Sequence, residues 1–300
     1  MAAGHNHVAE DNLKVAFALN LAFTIIEVIG GLLTNSIAIL SDAVHDAGDC
    51  LSIGTSLWLE GKSKKGADQI YTYGHQRFST LGALVTGSVL VVGLGFIISR
   101  AVPRLFKPEE VNAPGMIALA IIGIVFNGLA VLRTQGKRGL NESVVSWHLL
   151  EDVLGWIAVL IGSAAMAVWR APILDPLLSI GISLFVLYNV GRNLRKALRI
   201  FLQATPDVFN ISDFENKVLA IPGVRDVHRV HPWSLDGERN VFSTHVVLAA
   251  GSDRQAINNV KRGIATILKD GAFDDITVDV EFEGEPCIAT SSRSEASGER

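Results

Sequence analysis

Two short stretches of this chain carry ionisable side chains among apolar neighbours. Ser41-Asp42-Ala43-Val44-His45-Asp46-Ala47-Gly48-Asp49 is the first, and His148-Leu149-Leu150-Glu151-Asp152 is the second. Both contain the pattern His-x-x-x-Asp, as His45…Asp49 and His148…Asp152. In a helix, this i, i+4 spacing sets an imidazole and a carboxylate side by side on one face. Asp42, His45, Asp46 and Asp49 share an arc of about 100° on that face. Two such helices facing each other supply two nitrogens and two oxygens. That donor set suits tetrahedral Zn²⁺, with ligand distances of ~2.0–2.2 Å. Mg²⁺ and Ca²⁺ favour more oxygen and less imidazole. A lone histidine in an apolar helix is as readily a structural hydrogen-bonding group, but two matched pairs with additional acids favour a metal. No enzyme is expected. The chain has neither the His-Glu-x-x-His helix of a zinc protease nor the clustered histidines of a membrane di-iron oxygenase.

The elements that must position these residues are apolar. Six hydrophobic stretches run at Leu13–Leu33, Ile37–Leu59, Phe78–Ser99, Pro114–Leu132, Val144–Val168 and Pro172–Gly191. Each is about 20 residues, enough to cross a hydrocarbon layer of ~30 Å as a helix. The chain of 300 residues is 49% hydrophobic and 19% charged, with mean hydropathy +0.36, and these values exclude disorder and disfavour an ordinary soluble globule. Each charge at the centre of a bilayer costs roughly 2.5–3.5 kcal/mol. The acids of the second and fifth stretches therefore need protons or a bound cation to offset that cost. No basic region precedes the first stretch, so it reads as a retained helix and not a signal peptide. Lys62, Lys64, Lys65, Arg77, Arg133, Lys137, Arg138, Arg192, Arg195, Lys196 and Arg199 all fall on one side of the predicted spans. Arg100, Arg104, Lys107 and Arg170 fall on the other. The positive-inside rule then places both termini in the cytoplasm. A net charge of -4 leaves no basic footprint for nucleic acid. Cys50 and Cys287 are too few and too far apart for a disulfide framework.

After Thr205-Pro206 the composition changes. Helices are expected over Asp213–Ala220 and Asp253–Lys269, opened by capping boxes at Ser212/Glu215 and Ser252/Gln255. Strands are expected over Val224–Trp233, Asn240–Leu248 and Ile276–Glu283, the last with Ile276, Val278, Val280 and Phe282 alternating. The order αββαβ implies an antiparallel or mixed sheet with both helices on one face. The expected organisation is a tail at 1–12, a six-helix membrane domain at 13–205, a small α+β domain at 206–285 and a disordered tail at 286–300. His228, His231, His245 and Glu281, on the predicted strands, are candidate ligands, and Cys287 follows the last strand closely. Glu27 and Asn127 read as hydrogen-bonding groups between spans, and Cys50 as a packing residue.

The residues resemble the cation diffusion facilitators, proton-coupled exporters of zinc and related metals. The likeness rests on both His-x-x-x-Asp pairs, Glu27-Val28-Ile29-Gly30-Gly31, Tyr73-Gly74-His75, Thr205-Pro206 and the αββαβ order. It implies a homodimeric antiporter with alternating access, associated through a ferredoxin-like or metallochaperone-like cytoplasmic domain. Its transport site would be His45, Asp49, His148 and Asp152, the donor set of the zinc-preferring branch. It also implies a loop site at Asp68 and His75, although Tyr71 stands where a further histidine is expected. A regulatory zinc site would fall on His228, His245 and Glu281, with His231 nearby. Glu151 departs from the family, which usually has a small residue there. The lack of a long His-rich loop between the fourth and fifth spans favours a bacterial cytoplasmic-membrane exporter. Zn²⁺ needs neutral imidazole and ionised carboxylate, so protons competing for shared ligands supply the coupling. The alternatives are a broad exporter of Cd²⁺, Co²⁺, Ni²⁺, Fe²⁺ or Mn²⁺, or a zinc-sensing scaffold.

Overall fold

Each predicted span becomes a helix. A computed structural model describes residues 3–63, 66–134, 140–271 and 273–287. The first of its two compact units, Met1–Lys196, contains α1 (Ala3–Thr34), α2 (Ile37–Ser63), α3 (Arg77–Phe106), α4 (Ala113–Thr134), α5 (Leu140–Trp169) and most of α6 (Leu174–Phe201). Among the described residues, Phe17–Thr34, α3, Leu150–Trp169 and α6 are long and apolar enough to cross a membrane. Ala113–Leu129 is a shorter apolar run in α4. α2 has the length, but Asp42, Asp46 and Asp49 lower its hydropathy. α1 starts at Ala3, so residues expected in the tail continue the helix ahead of the apolar stretch. Backbone hydrogen bonds inside a helix persist after it leaves hydrocarbon.

Inside this unit, Phe23, Met116, Trp156 and Val159 form a buried core joined by Ile39. Phe23 stacks on Phe126 with ring centroids 4.9 Å apart and meets Trp156 edge-on at 5.8 Å. Burying side chains of this size stabilises by about 1.5–3 kcal/mol each relative to exposure in water. Glycine at 123 lets α4 close on α5, because a Cβ there would collide with the Trp156 indole. The opposite surface exposes Leu33, Val92, Leu129 and Ile161, side chains suited to hydrocarbon.

The second unit, Ala197–Arg300, holds α7 (Ile211–Leu219), β1 (Val224–Ser234), β2 (Asn240–Leu248), α8 (Arg254–Ile267), a 3-10 turn (Lys269–Gly271) and β3 (Phe273–Phe282). The expected order is present, and the sheet is mixed. β1 pairs antiparallel with β2, and β2 pairs parallel with β3 through the α8 crossover. Phe214 and Val218 of α7 and Val260 and Ile264 of α8 pack with Phe242, Val246 and Leu248 on one sheet face. The helix starts differ from those expected. Asn210 caps α7 by accepting the Asp213 N–H at 3.1 Å, and Asp253 caps α8 by accepting the Ala256 N–H at 2.8 Å. Ser212 falls inside the helix and Ser252 before the cap, because either start suits the local sequence and the extended residue decides it. β3 begins at Phe273 rather than Ile276, since Phe273 completes an aromatic cluster with Phe209 and Phe242.

Alternation sets the outer face of the sheet. Val278, Val280 and Phe282 point to the helices, which leaves Asp279 and Glu281 on the other side. His245 lies there too, and its Cα partner on β1 is His228. A bulge between His228 and His231, with Arg229 at φ +52°, then shifts the register of β1.

Candidate metal centre

The position of α2 is set by a residue far away in the chain. Asp175, wholly buried in the first turn of α6, accepts the Ser36 hydroxyl at 2.5 Å and the Ile37 N–H at 2.8 Å. The Ala38 N–H reaches the same carboxylate at 3.3 Å, and Ser36 Oγ accepts the Ile39 N–H at 3.2 Å. The first N–H groups of a helix have no partner within it, and hydrocarbon offers no water to satisfy them. One turn further along, Ser41 Oγ and Ser183 Oγ of α6 lie 2.8 Å apart. No sequence periodicity connects these positions.

With its start held, α2 turns Asp42, His45, Asp46 and Asp49 to one side. His45 Nε2 is 3.8 Å from Asp49 Oδ2 and 3.7 Å from Asp152 Oδ1 of α5. Ligand atoms of His45, Asp46 and Asp49 all lie within 4.8 Å of one another. Neighbouring ligands on a tetrahedral Zn²⁺ are about 3.3–3.5 Å apart, so a small inward movement would close this set around an ion. His148 sits on α5 one turn before Asp152, and its side chain lies outside the described residues. A cavity of about 690 Å³ adjoins the cluster, lined by Asp42, His45, Asp49, Glu151, Asp152 and Arg192 among others. Glu151 is exposed on its wall. Glycine at 48 keeps α3 close, because a Cβ would run into Leu90.

Glu27 of α1 is buried beside Asp42 and Asp46 of α2, and Nδ2 of Asn127 is buried without a hydrogen bond among the described residues. Cys50 packs between α1 and α2, accepting from Asn20 Nδ2 at 3.4 Å and lying 3.6 Å from Thr24 Oγ1.

In the loop before α3, His75 Nε2 is 3.6 Å from Asp68 Oδ2. Asp68 Oδ1 accepts the N–H groups of Ile70 and Tyr71 at 2.8 and 2.6 Å, and Tyr71 packs on the His75 ring at 4.6 Å. The two predicted residues are together, but among the described residues no third metal-binding side chain groups with them.

The soluble unit has a tighter cluster on the outer sheet face. Glu281 Oε1 is 2.7 Å from His245 Nδ1, and Oε2 is 3.5 Å from His228 Nε2. Asp226 Oδ2 holds His228 Nδ1 at 3.0 Å, which directs Nε2 inward, the carboxylate–histidine arrangement that orients a metal ligand. Burial opposes ionisation of Glu281, but hydrogen bonds from His245 and Cys287 and the charges of His228 and His245 outweigh it. Its carboxyl is held below the usual range. His231 pairs with Ser243, beyond the bulge, and is not among the clustered residues. Cys287 is, with Sγ 3.6 Å from His245 Nδ1. Its place after the last strand was the only sequence signal for it.

Known proteins resemble this chain along nearly its whole length. Residues 13–202 match the family model of the cation efflux transmembrane domain, and residues 206–283 match that of the cation efflux protein cytoplasmic domain. The cadmium, cobalt and zinc/H(+)-K(+) antiporter of Bacillus subtilis is 31% identical over 290 residues, 93% of this chain and 92% of that protein. The zinc transporter ZitB of Escherichia coli is 33% identical over 270 residues, 86% of each chain. The metal cation efflux system protein CzcD of Cupriavidus metallidurans is 30% identical over 295 residues, 96% of this chain and 92% of that protein.

Proposed function

This chain belongs to the cation efflux family, and from that premise we propose that it moves Zn²⁺ out of the cytoplasm in exchange for protons. It is a multi-pass membrane transporter of metal cations and not an enzyme. The observation that carries the zinc reading is the approach of His45 Nε2 to carboxylates on two separate helices, Asp49 of α2 and Asp152 of α5. An imidazole with carboxylates suits Zn²⁺ better than it suits Mg²⁺ or Ca²⁺.

The ligand set is His45, Asp49, His148 and Asp152, with Asp42 and Asp46 behind it. Facing the cytoplasm, neutral imidazole and ionised carboxylate take the ion. Facing the other side, protons compete for the same atoms and release it. Glu151 on the cavity wall attracts cations toward the cluster. The soluble unit carries a regulatory metal centre at His228, His245 and Glu281, and supports a homodimer. Asp68 and His75 form at most an accessory site. Both termini are cytoplasmic, and the membrane is the bacterial inner membrane. A broader range of metals is the second reading, favoured by relatives named for cadmium and cobalt as well as zinc.

The test is metal flux into proteoliposomes under a pH gradient. Zn²⁺ uptake should require an acidic lumen and alkalinise it in step with transport, because each ion entering exchanges for protons leaving. His45→Ala and Asp152→Ala should each abolish both signals. Uptake that ignores the gradient would remove proton exchange, and wild-type flux in either variant would remove the site.

A further inference from the structure

The cluster in the soluble unit contains a donor beyond those the family resemblance implies. The chain reaches it by a tight turn after β3. The Glu283 N–H bonds to Leu248 O at 2.9 Å, Gly284 adopts φ +95°, and the Glu285 N–H bonds to Phe282 O at 2.9 Å. The Glu285 carboxylate accepts the Phe282 N–H at 3.0 Å and closes the turn. A left-handed residue at 284 favours glycine, and it reverses the chain toward the outer face of the sheet. Cys287 arrives with Sγ 3.6 Å from His245 Nδ1. One ligand atom from each of His228, His245, Glu281 and Cys287 falls within 4.8 Å of the others.

We propose that Cys287 is the fourth ligand of this centre, making it a nitrogen–oxygen–sulfur site that selects thiophilic ions, Cd²⁺ and Zn²⁺, over Mn²⁺ and Fe²⁺. The inference rests on the reading of His228, His245 and Glu281 as a metal centre. Three arguments support it. The first is geometric. A sulfur at ~2.3 Å and a nitrogen at ~2.0 Å from a tetrahedral Zn²⁺ are about 3.5 Å apart, close to the separation of Cys287 Sγ and His245 Nδ1. Likewise Glu281 Oε2 and His228 Nε2, at 3.5 Å, are spaced as two ligands of one ion. The second is charge. Two neutral imidazoles, one carboxylate and one thiolate neutralise a divalent cation, and the thiol proton passes to solvent as the ion binds. The third is chemical. Thiolate sulfur discriminates for soft and borderline ions, whereas an all-oxygen and nitrogen set accepts Mn²⁺ and Fe²⁺ more readily. The Asp226–His228 contact and the turn at Gly284 already hold two of the four donors in place.

The experiment uses the full chain in detergent, loaded with Co²⁺ as a spectroscopic probe, in a Cys50→Ser background so that Cys287 is the remaining sulfur of its type. The expected result is a thiolate-to-Co²⁺ charge-transfer band that disappears in Cys287→Ser. That variant should also weaken Cd²⁺ binding at this site by about tenfold or more and leave Mn²⁺ binding within a factor of about two. In the unsubstituted chain, Cd²⁺ should protect Cys287 from alkylation, which reads the same contact without any risk of misfolding. A tetrahedral Co²⁺ spectrum without the band, and no protection by Cd²⁺, would overturn the sulfur ligand while leaving the site. Unchanged metal stoichiometry in His245→Ala would remove the centre itself and the inference with it.

Discussion

Ser41 and Ser183 join α2 to α6 through hydroxyls 2.8 Å apart, both residues wholly buried, one helical turn ahead of His45 on α2. The cavity that adjoins His45 is lined on α6 only from Gly181 onward and on α2 from Asp42 onward. The hydroxyl pair therefore ties the two helices together alongside this cavity, and a movement that separates them here must part it.

A Ser41→Cys, Ser183→Cys chain places two thiols where the hydroxyls meet, within reach of disulfide geometry. Oxidation should stop Zn²⁺ flux in proteoliposomes without removing Zn²⁺ binding, and reduction should restore flux. Transport that continues in the oxidised protein would show that the helices need not separate here.

Asp175 should matter to stability more than its place in the first turn of α6 suggests. Asp175→Ala strips partners from Ser36 Oγ and from the N–H groups of Ile37 and Ala38. Leaving buried donors unsatisfied costs about 1–3 kcal/mol. Thermal unfolding of the detergent-solubilised chain should show a lower midpoint for Asp175→Ala and a smaller loss for Asp175→Asn, which keeps one acceptor. Equal midpoints for both variants and the parent would exclude the cap.

Glu151 is exposed on the cavity wall beside Asp152, where a carboxylate raises the local concentration of cations. Glu151→Gln should raise the half-saturating Zn²⁺ concentration about two- to fivefold at low ionic strength, with little change in maximal flux. High salt should erase the difference, because exposed charges are screened. A fall in maximal rate at saturating metal would instead assign Glu151 to the translocation step.

The Glu281 carboxyl titrates below its ordinary range because donors and charge from His245, Cys287 and His228 outweigh its burial. A depressed carboxyl pKa stabilises the fold above the unfolded-state value and loses that contribution as pH falls through the folded value. Hydrogen-exchange protection of β3, corrected for intrinsic rates, should therefore fall as pH drops below the usual glutamate range. Glu281→Gln should lower protection at neutral pH and flatten the acid dependence. An unchanged acid profile in that variant would place the transition elsewhere.

Helix and strand periods made much of this protein readable in one dimension. The His45–Asp49 spacing follows from the pitch of a helix, so the two groups face the same way wherever α2 packs. The alternation of Ile276, Val278, Val280 and Phe282 likewise assigned Asp279 and Glu281 to the opposite face of β3. Local patterns failed where two local solutions were close in energy, as at the helix starts, where Asn210 and Asp253 cap instead of Ser212 and Ser252.

By itself, the sequence determined the helices, the αββαβ order and the faces on which ionisable groups lie, because each depends on backbone geometry that repeats every few residues. The tertiary structure alone decided which faces meet. It set Asp152 against His45, Asp175 on the start of α2, Ser183 against Ser41 and Cys287 beside His245. It also carried His231 away from His228 through a one-residue bulge. The physical reason is range. A helix or strand fixes neighbours a few positions apart, whereas contacts between distant positions are chosen by the packing of whole elements and by buried polar groups that must find partners.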